Sequence, residues 1–146
     1  MSFFLILLAA GNSKRLKSST PKPFNKINNK TLLEHCINAF KNFHKIKKII
    51  VVYNSKNKKN INKIDLKNII KIRGGKTRQE SVFRALKKIK KMNCKKVIIH
   101  DVARPYPPKN LISNLLNKLK NNDAVVPVIR ANDATKRANE NVIFKN

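Results

Sequence analysis

The sequence predicts an α/β domain, a mostly parallel sheet covered by helices on both faces. Short continuous apolar runs of strand length recur along the chain, as buried parallel strands do. Between them lie stretches whose apolar residues repeat at helical spacing, two of them opened by a capping-box pattern. Glycine and proline mark the boundaries. Strand–helix alternation over 146 residues suits one domain with a single parallel sheet.

The elements follow in order. Phe3–Ala9 is an apolar run ending in Ala-Gly and reads as the first buried strand. From Gly11 to Lys30 the chain is polar, and Pro21 and Pro23 exclude a helix through it. Thr31-x-x-Glu34 caps a helix over Leu32 to Phe40. Ile49–Tyr53 is the second strand, and a Lys/Asn linker leads to a weak segment, Ile61 to Leu66. Ile69–Ile72 is a short third strand, turned by Gly74-Gly75 into a second capping box, Thr77-x-x-Glu80. Val82, Ala85, Leu86 and Ile89 then keep helical spacing. Val97–Asp101 is the fourth strand, and three prolines follow it by position 108. Leu111, Ile112, Leu115, Leu116 and Leu119 form another helical stripe, and Ala124–Ile129 reads as a fifth strand. Beyond Arg130 the chain is polar.

Composition narrows the function classes. A hydrophobic fraction of 41% supports a real core and argues against a disordered chain. The net charge of +27 raises a nucleic-acid partner. However, the excess is nearly all Lys, it accompanies abundant Asn and Ile, and all three have A/T-rich codons. The lysines are scattered instead of forming a stripe, and the 6% aromatic content offers no stacking pattern. Nucleic-acid binding is therefore disfavoured, and a solvated Lys-rich surface is the default. Cys36 and Cys94 form no CxxC and no Cys/His cluster at zinc spacing, so both read as buried free thiols in a reducing compartment. The apolar N-terminus lacks the preceding basic residues of a signal peptide and is too short to span a bilayer. No other segment suits a membrane, and a soluble cytoplasmic protein is expected.

In parallel sheets ligands bind beyond the carboxyl ends of the strands, which directs attention to three loops. In the first, Ala9, Ala10 and Gly11 let a ligand approach the backbone, while Lys14, Arg15 and Lys22 add positive charge. Triphosphate chemistry needs this combination, because catalysis is positioning plus neutralisation of developing charge. The dinucleotide fingerprint GxGxxG is missing. The second loop contains Gly75-Lys76-Thr77, which imitates the end of a Walker A motif. That motif needs Gly where Ile70 stands, so a P-loop is rejected. What remains is a glycine turn entering a helix N-terminus, able to receive polar ligand atoms, with Ser81 in the first turn. The third loop is His100-Asp101-Val102-Ala103-Arg104-Pro105. An acidic residue ending an apolar strand is costly unless paired or at a binding edge. Asp101 beside Arg104 suits a sugar hydroxyl, a magnesium–triphosphate complex or a substrate phosphate; a local Asp–Arg pair is the plainer reading. His100 alternates away from Asp101 and reads as support.

Taken in order, these loops resemble the cytidylyltransferase family that acts on 2-C-methyl-D-erythritol 4-phosphate in isoprenoid precursor synthesis. The matching residues are Ala9-Ala10-Gly11, Arg15 and Pro21-Lys22, then Gly74-Gly75, Arg78 and Ser81-Val82. His100-Asp101-x-Ala103-Arg104-Pro105 follows, then Pro127-Val128, Asp133 and Lys136. The resemblance covers nearly the whole chain. It implies a Rossmann-like fold of nucleotidyltransferase type, with residues 1–146 forming a nucleotide-binding domain whose C-terminal part is missing. It implies transfer of a cytidylyl group from CTP to a sugar-alcohol phosphate with release of pyrophosphate. It makes Arg15 and Lys22 the catalytic pair, and Ala9, Ala10, Gly11, Gly75, Lys76, Ser81, Asp101 and Val102 the nucleotide contacts. Asp101, Arg104, Ala134 and Thr135 become contacts to the acceptor substrate. Mg2+ or another divalent cation is implied, held mainly by the CTP phosphates, with Asp101 the one protein ligand considered. A homodimer is the implied assembly.

The sequence departs from the family at several points. Ser13 stands where a glycine is usual, and Pro23 where Gln often follows the lysine. Two extra residues lie between Val128 and Asp133, and Ala134 occupies the place of a substrate-contacting Thr, beside Thr135. Family members also continue past the position of Asn146 into a dimer-forming arm and further sheet. Ribitol-phosphate cytidylyltransferases share much of the motif set. The competing classes are a CTP-binding fragment without turnover and a charge-driven nucleic-acid binder.

Overall fold

A computed structural model describes residues 2–11, 20–64, 69–129, 138–139 and 142–143. Arg15, Ala134 and Thr135 lie outside the described residues, as do Lys14, Asp133 and Lys136.

The first strand, β1 (Phe3–Ala9), leads through a 3-10 turn (Lys22–Phe24) to a small hairpin of β2 (Lys26–Ile27) and β3 (Lys30–Thr31). Helix α1 (Leu32–Lys41), β4 (Ile46–Tyr53), α2 (Lys58–Asn62) and β5 (Ile69–Arg73) follow. Then come α3 (Arg78–Lys90), β6 (Lys96–Asp101), α4 (Lys109–Lys118) and a hairpin of β7 (Ala138–Asn139) with β8 (Val142–Ile143). The main sheet has the order β5-β4-β1-β6, and its neighbours run parallel. The chain thus moves outward from β1 to β4 and β5, then returns to place β6 on the other side of β1. That reversal makes a topological switch point between β1 and β6, the position where open α/β sheets bind ligands.

Strand β1 is buried on both faces because it is central. Phe3, Leu5, Leu7 and Ala9 join a core cluster with Leu33, Cys36 and Phe40 of α1, Ile61 near α2's end, and Ile112 and Leu116 of α4. Phe4 and Ile6 point the other way, into a cluster with Ile50, Val52 and the α3 residues Ala85 and Ile89. Helices therefore cover both faces, as the period-two alternation of a doubly buried strand requires. The placement of α1 and α2 opposite α3 is what right-handed crossovers dictate when the chain reverses direction.

Helix α1 starts as its sequence predicts. The Thr31 hydroxyl accepts from the Glu34 N–H at 3.2 Å, and the Glu34 carboxylate accepts from the Thr31 N–H at 2.7 Å. Partial burial pushes the Glu34 carboxyl up, but these Thr31 hydrogen bonds and the nearby Lys26 charge outweigh it, and the net shift is downward. Helix α3 departs from the pattern. Thr77 does accept from the Glu80 N–H at 3.0 Å, but the Glu80 carboxylate accepts from the Lys76 N–H at 2.7 Å, one residue earlier than a capping box requires.

Two further expectations are corrected. The stretch before α1 is not a plain loop: Asn28 and Asn29, at φ 48° and 62°, turn the β2–β3 hairpin. Two consecutive left-handed residues are the type I′ arrangement, and Asn tolerates that region better than most residues. Ala124–Ile129 forms no strand; Val126, Val128 and Ile129 are exposed. Pro127 lacks an N–H for a ladder, so apolar character alone does not make this run a strand.

Cys36 is fully buried, and its thiol donates weakly to the Val102 and Arg104 carbonyls at 3.6 and 3.8 Å. Cys94 is only half-buried, a correction to the expectation for it. Burial pushes the Cys36 thiol up from 9.0 to about 12. The unfolded chain then loses this proton before the folded one, so the stability it protects is present below pH 9 and lost as pH rises towards 12. Denaturant melts at about pH 8 and 10 should show the parent losing about 1.4 kcal/mol more than Cys36→Ala. Equal losses would refute the buried neutral thiol.

Candidate functional site

The strand ends are level. Ala9 pairs with Tyr53, Tyr53 with Arg73, and Leu8 with Asp101. The loops after β1, β4, β5 and β6 therefore emerge side by side and enclose a cleft of about 1390 Å³. Ala10, Gly11, Lys22, Gly75, Lys76, Ser81, Asp101 and Arg104 all line it, so the structure brings the three sequence-predicted loops together.

Lys22 sits on a rigid turn. Pro21 precedes it, Pro23 and Phe24 are buried, and the Phe24 N–H donates to the Pro21 carbonyl at 2.8 Å. Pro23, a departure from the usual family residue, thus fixes the backbone φ beside Lys22. At Gly11 an added Cβ would meet nothing within 4 Å, so packing against the described residues does not require glycine there. Gly74 is different: its Cβ would lie 2.7 Å from the Ala10 Cβ and 2.9 Å from the Ser81 Oγ. Only a glycine lets the β5 exit approach β1 and α3 so closely.

The glycine turn differs from expectation in its chemistry. The Gly74 N–H donates to the Tyr53 carbonyl at 2.8 Å, the Gly75 N–H to the Ser81 hydroxyl at 3.0 Å, and the Lys76 N–H to Glu80. The N–H groups of all three residues are used inside the protein. The turn thus presents carbonyl acceptors, where a helix N-terminal approach suggests donors. Ser81 is 4% exposed, and having accepted from Gly75 it keeps its own proton to donate.

Asp101 does not pair with the Arg104 side chain. Its carboxylate meets the Arg78 guanidinium at 3.2 Å, while its carbonyl accepts from the Arg104 N–H at 3.0 Å. Arg78, 23 residues away in sequence, thus ties the start of α3 to the end of β6. At 64% and 43% side-chain exposure the pair adds little stability, and orienting the carboxylate is its main effect. His100 supports the loop as expected, with Nε2 at 2.8 Å from the Arg104 carbonyl and its ring edge-on to Phe40. Val102 is fully buried; its N–H donates to the Leu8 carbonyl at 3.3 Å and its carbonyl receives the Cys36 thiol. It supports the loop from beneath instead of facing a ligand. Ala9 likewise packs into the core and is not on the cleft wall, which its neighbours Leu8 and Ala10 line.

Among the described residues, the cations Lys22, Lys56, Arg73, Lys76, Arg78, Arg84 and Arg104 line the cleft against one carboxylate, Asp101. In a chain with 34 basic and 7 acidic residues such an excess is ordinary; their convergence on one strand-end cleft is not. Among the described residues no group of three His, Cys, Asp or Glu side chains could hold a metal by itself. Such a lining would suit a magnesium ion held mostly by phosphate oxygens and water, with Asp101 the one carboxylate that lines the cleft among the described residues. No described helix is long and apolar enough to cross a membrane.

Known proteins share both sequence and shape with this chain. It is 49% identical over 137 residues to the bifunctional enzyme IspD/IspF of Pelagibacter ubique, covering 94% of this chain and 37% of that protein. It is 34% identical over 146 residues to the 2-C-methyl-D-erythritol 4-phosphate cytidylyltransferase of Clostridioides difficile, covering 97% of this chain and 61% of that protein. The bifunctional IspDF structure from Campylobacter jejuni superposes with a TM-score of 0.83 at 32% identity, covering 99% of this chain and 37% of that one. The 4-diphosphocytidyl-2C-methyl-D-erythritol synthase structure from Anaerococcus prevotii gives 0.82 at 25% identity, covering 97% and 61%. The chain thus spans between about a third and two thirds of the length of these relatives. With residues 3–146 matched by the family's own sequence model, the chain belongs to the 2-C-methyl-D-erythritol 4-phosphate cytidylyltransferase family.

Proposed function

We propose that this chain transfers a cytidylyl group from CTP to 2-C-methyl-D-erythritol 4-phosphate, releasing pyrophosphate. One observation carries the reading: the family's separate loop motifs meet at the switch-point cleft, with Lys22, Gly75, Ser81 and Asp101 all on its wall. A phosphate oxygen of the acceptor attacks the α-phosphorus of CTP, and the bond from that phosphorus to the bridging oxygen breaks. A phosphate monoester has a second pKa of about 6, so the nucleophile is already ionised at neutral pH and needs no general base. That suits a cleft whose nearby histidine, His100, is engaged with a backbone carbonyl.

Lys22 neutralises charge that develops on the transferred phosphoryl group, with Arg15 as its partner. Cytidine is held by the backbone of Ala9, Ala10 and Gly11, by the Gly75–Lys76 turn and by the Ser81 hydroxyl. Asp101 and Arg104 meet ribose or acceptor, and Ala134 and Thr135 complete the acceptor side. A bound magnesium ion supplies charge neutralisation at the triphosphate. We assign the protein to the cytoplasm, acting as a homodimer. The test is titration calorimetry with CTP and magnesium, followed by pyrophosphate release on adding methylerythritol phosphate. Ribitol 5-phosphate as the better acceptor would move the assignment to that neighbouring activity, and neither binding nor release would overturn it.

A further inference from the structure

We propose that Glu80 and Arg84 are positioning residues that set nucleotide-base selectivity, by holding the Gly74–Lys76 turn with its N–H groups turned inward. The inference rests on the CTP-binding reading and deepens it. Glu80 accepts from the Lys76 N–H at 2.7 Å through Oε2. Its other oxygen, Oε1, pairs with the Arg84 guanidinium, one helical turn on. The second arm of that guanidinium donates to the Gly74 carbonyl at 2.9 Å. The two side chains therefore grip the turn at both ends, one by a donor and one by an acceptor. Glu80 also lies directly over Gly75, where an added Cβ would sit 2.2 Å from its carboxyl carbon. A side chain at position 75 would displace the clamp. The Lys76 N–H and Arg84 together hold the Glu80 carboxyl below its ordinary range, so it stays ionised at neutral pH.

The chemical consequence follows from what the clamp consumes. With the Gly74, Gly75 and Lys76 N–H groups and the Gly74 carbonyl all engaged, the Gly75 and Lys76 carbonyls are the turn's backbone groups left for a ligand. Carbonyls accept hydrogen bonds and so favour a base edge that donates. Cytosine carries an amino donor on the ring carbon where uracil carries a carbonyl acceptor. The clamped turn thus selects cytosine and rejects uracil. A turn with a freed Lys76 N–H would offer a donor and tolerate uracil.

The parent and the Glu80→Ala, Glu80→Gln and Arg84→Met variants should be titrated with CTP and with UTP, alongside amide hydrogen exchange at Lys76. Glu80→Ala is expected to speed Lys76 exchange and to weaken CTP about tenfold, while the CTP-to-UTP affinity ratio falls at least as far. Arg84→Met should lower the ratio less. Glu80→Gln keeps an oxygen for the Lys76 N–H and should recover most of the parent ratio, which a loss of fold would not allow. A parent-like ratio in Glu80→Ala, in a parent that binds CTP, overturns the inference alone. Unchanged Lys76 exchange in Glu80→Ala overturns it whether or not CTP binds. A parent with fast-exchanging Lys76 and no CTP affinity overturns both the inference and the functional reading.

Discussion

Replacing Lys22 with alanine lowers the rate of pyrophosphate release by about 10²–10³, the equivalent of about 2.7–4 kcal/mol of transition-state stabilisation. The reasoning is differential. In the ground state the CTP phosphates share several cations of the cleft, so one ammonium contributes a small part of the binding. In the transition state charge gathers on the oxygens of one phosphorus, and a lysine fixed beside it counts for more. Lys22 is fixed in this sense, because Pro23 and Phe24 anchor its turn in the core. The effect should therefore fall on kcat, with CTP affinity changed by less than tenfold and the melting temperature unmoved. Lys22→Arg keeps the charge and should retain part of the rate. A Lys22→Ala protein with parental kcat would remove Lys22 from the catalytic role, and one with parental kcat but poor CTP affinity would make it a binding residue only.

The main architecture was legible because its signals are local. Phe3–Ala9 is apolar at every position, and only a strand buried on both faces needs that. The Thr31–Glu34 box marks the first residue of α1. The site loops were legible for a different reason: strand ends of a parallel sheet converge, so their order in sequence already implies proximity. What the sequence did not reveal depends on partners distant in the chain or on backbone geometry. The Arg78–Asp101 pair spans 23 positions, so Arg104, only three residues off, looked the better partner. The Glu80 carboxylate serves Lys76 rather than Thr77, a one-residue shift that the Thr-x-x-Glu pattern cannot distinguish. Asn28-Asn29 is the one local signal of the Lys26–Thr31 hairpin, because two-residue strands carry no periodicity. Ala124–Ile129 misled in the opposite way: β-branched residues fit a strand, but a strand needs a neighbour, and Pro127 withholds a donor from any.

Leu7→Ala should cost the fold about 2–5 kcal/mol. Leu7 is fully buried in β1, where its register partners are Val51 of β4 and His100 of β6. The strand is held on both edges by hydrogen bonds and on both faces by helices, so no element is placed to collapse into the space left behind. That rigidity puts the expected cost in the upper half of the range, since the penalty grows with the cavity that remains. For a chain of this size each kcal/mol moves the midpoint by roughly 2–4 °C, so Tm should fall by roughly 5–20 °C. Ile6→Ala removes apolar bulk from the opposite face, into which the other core cluster packs. The consequence for function is indirect: β1 delivers Ala10 and Gly11 to the cleft, so a loosened β1 should weaken CTP binding only as far as the folded population falls. A Leu7→Ala protein that melts within 2 °C of the parent would mean that β1 is not the central buried strand. One that melts as expected yet binds CTP normally below its transition would show that the cleft is set by the strand ends and not by packing beneath them.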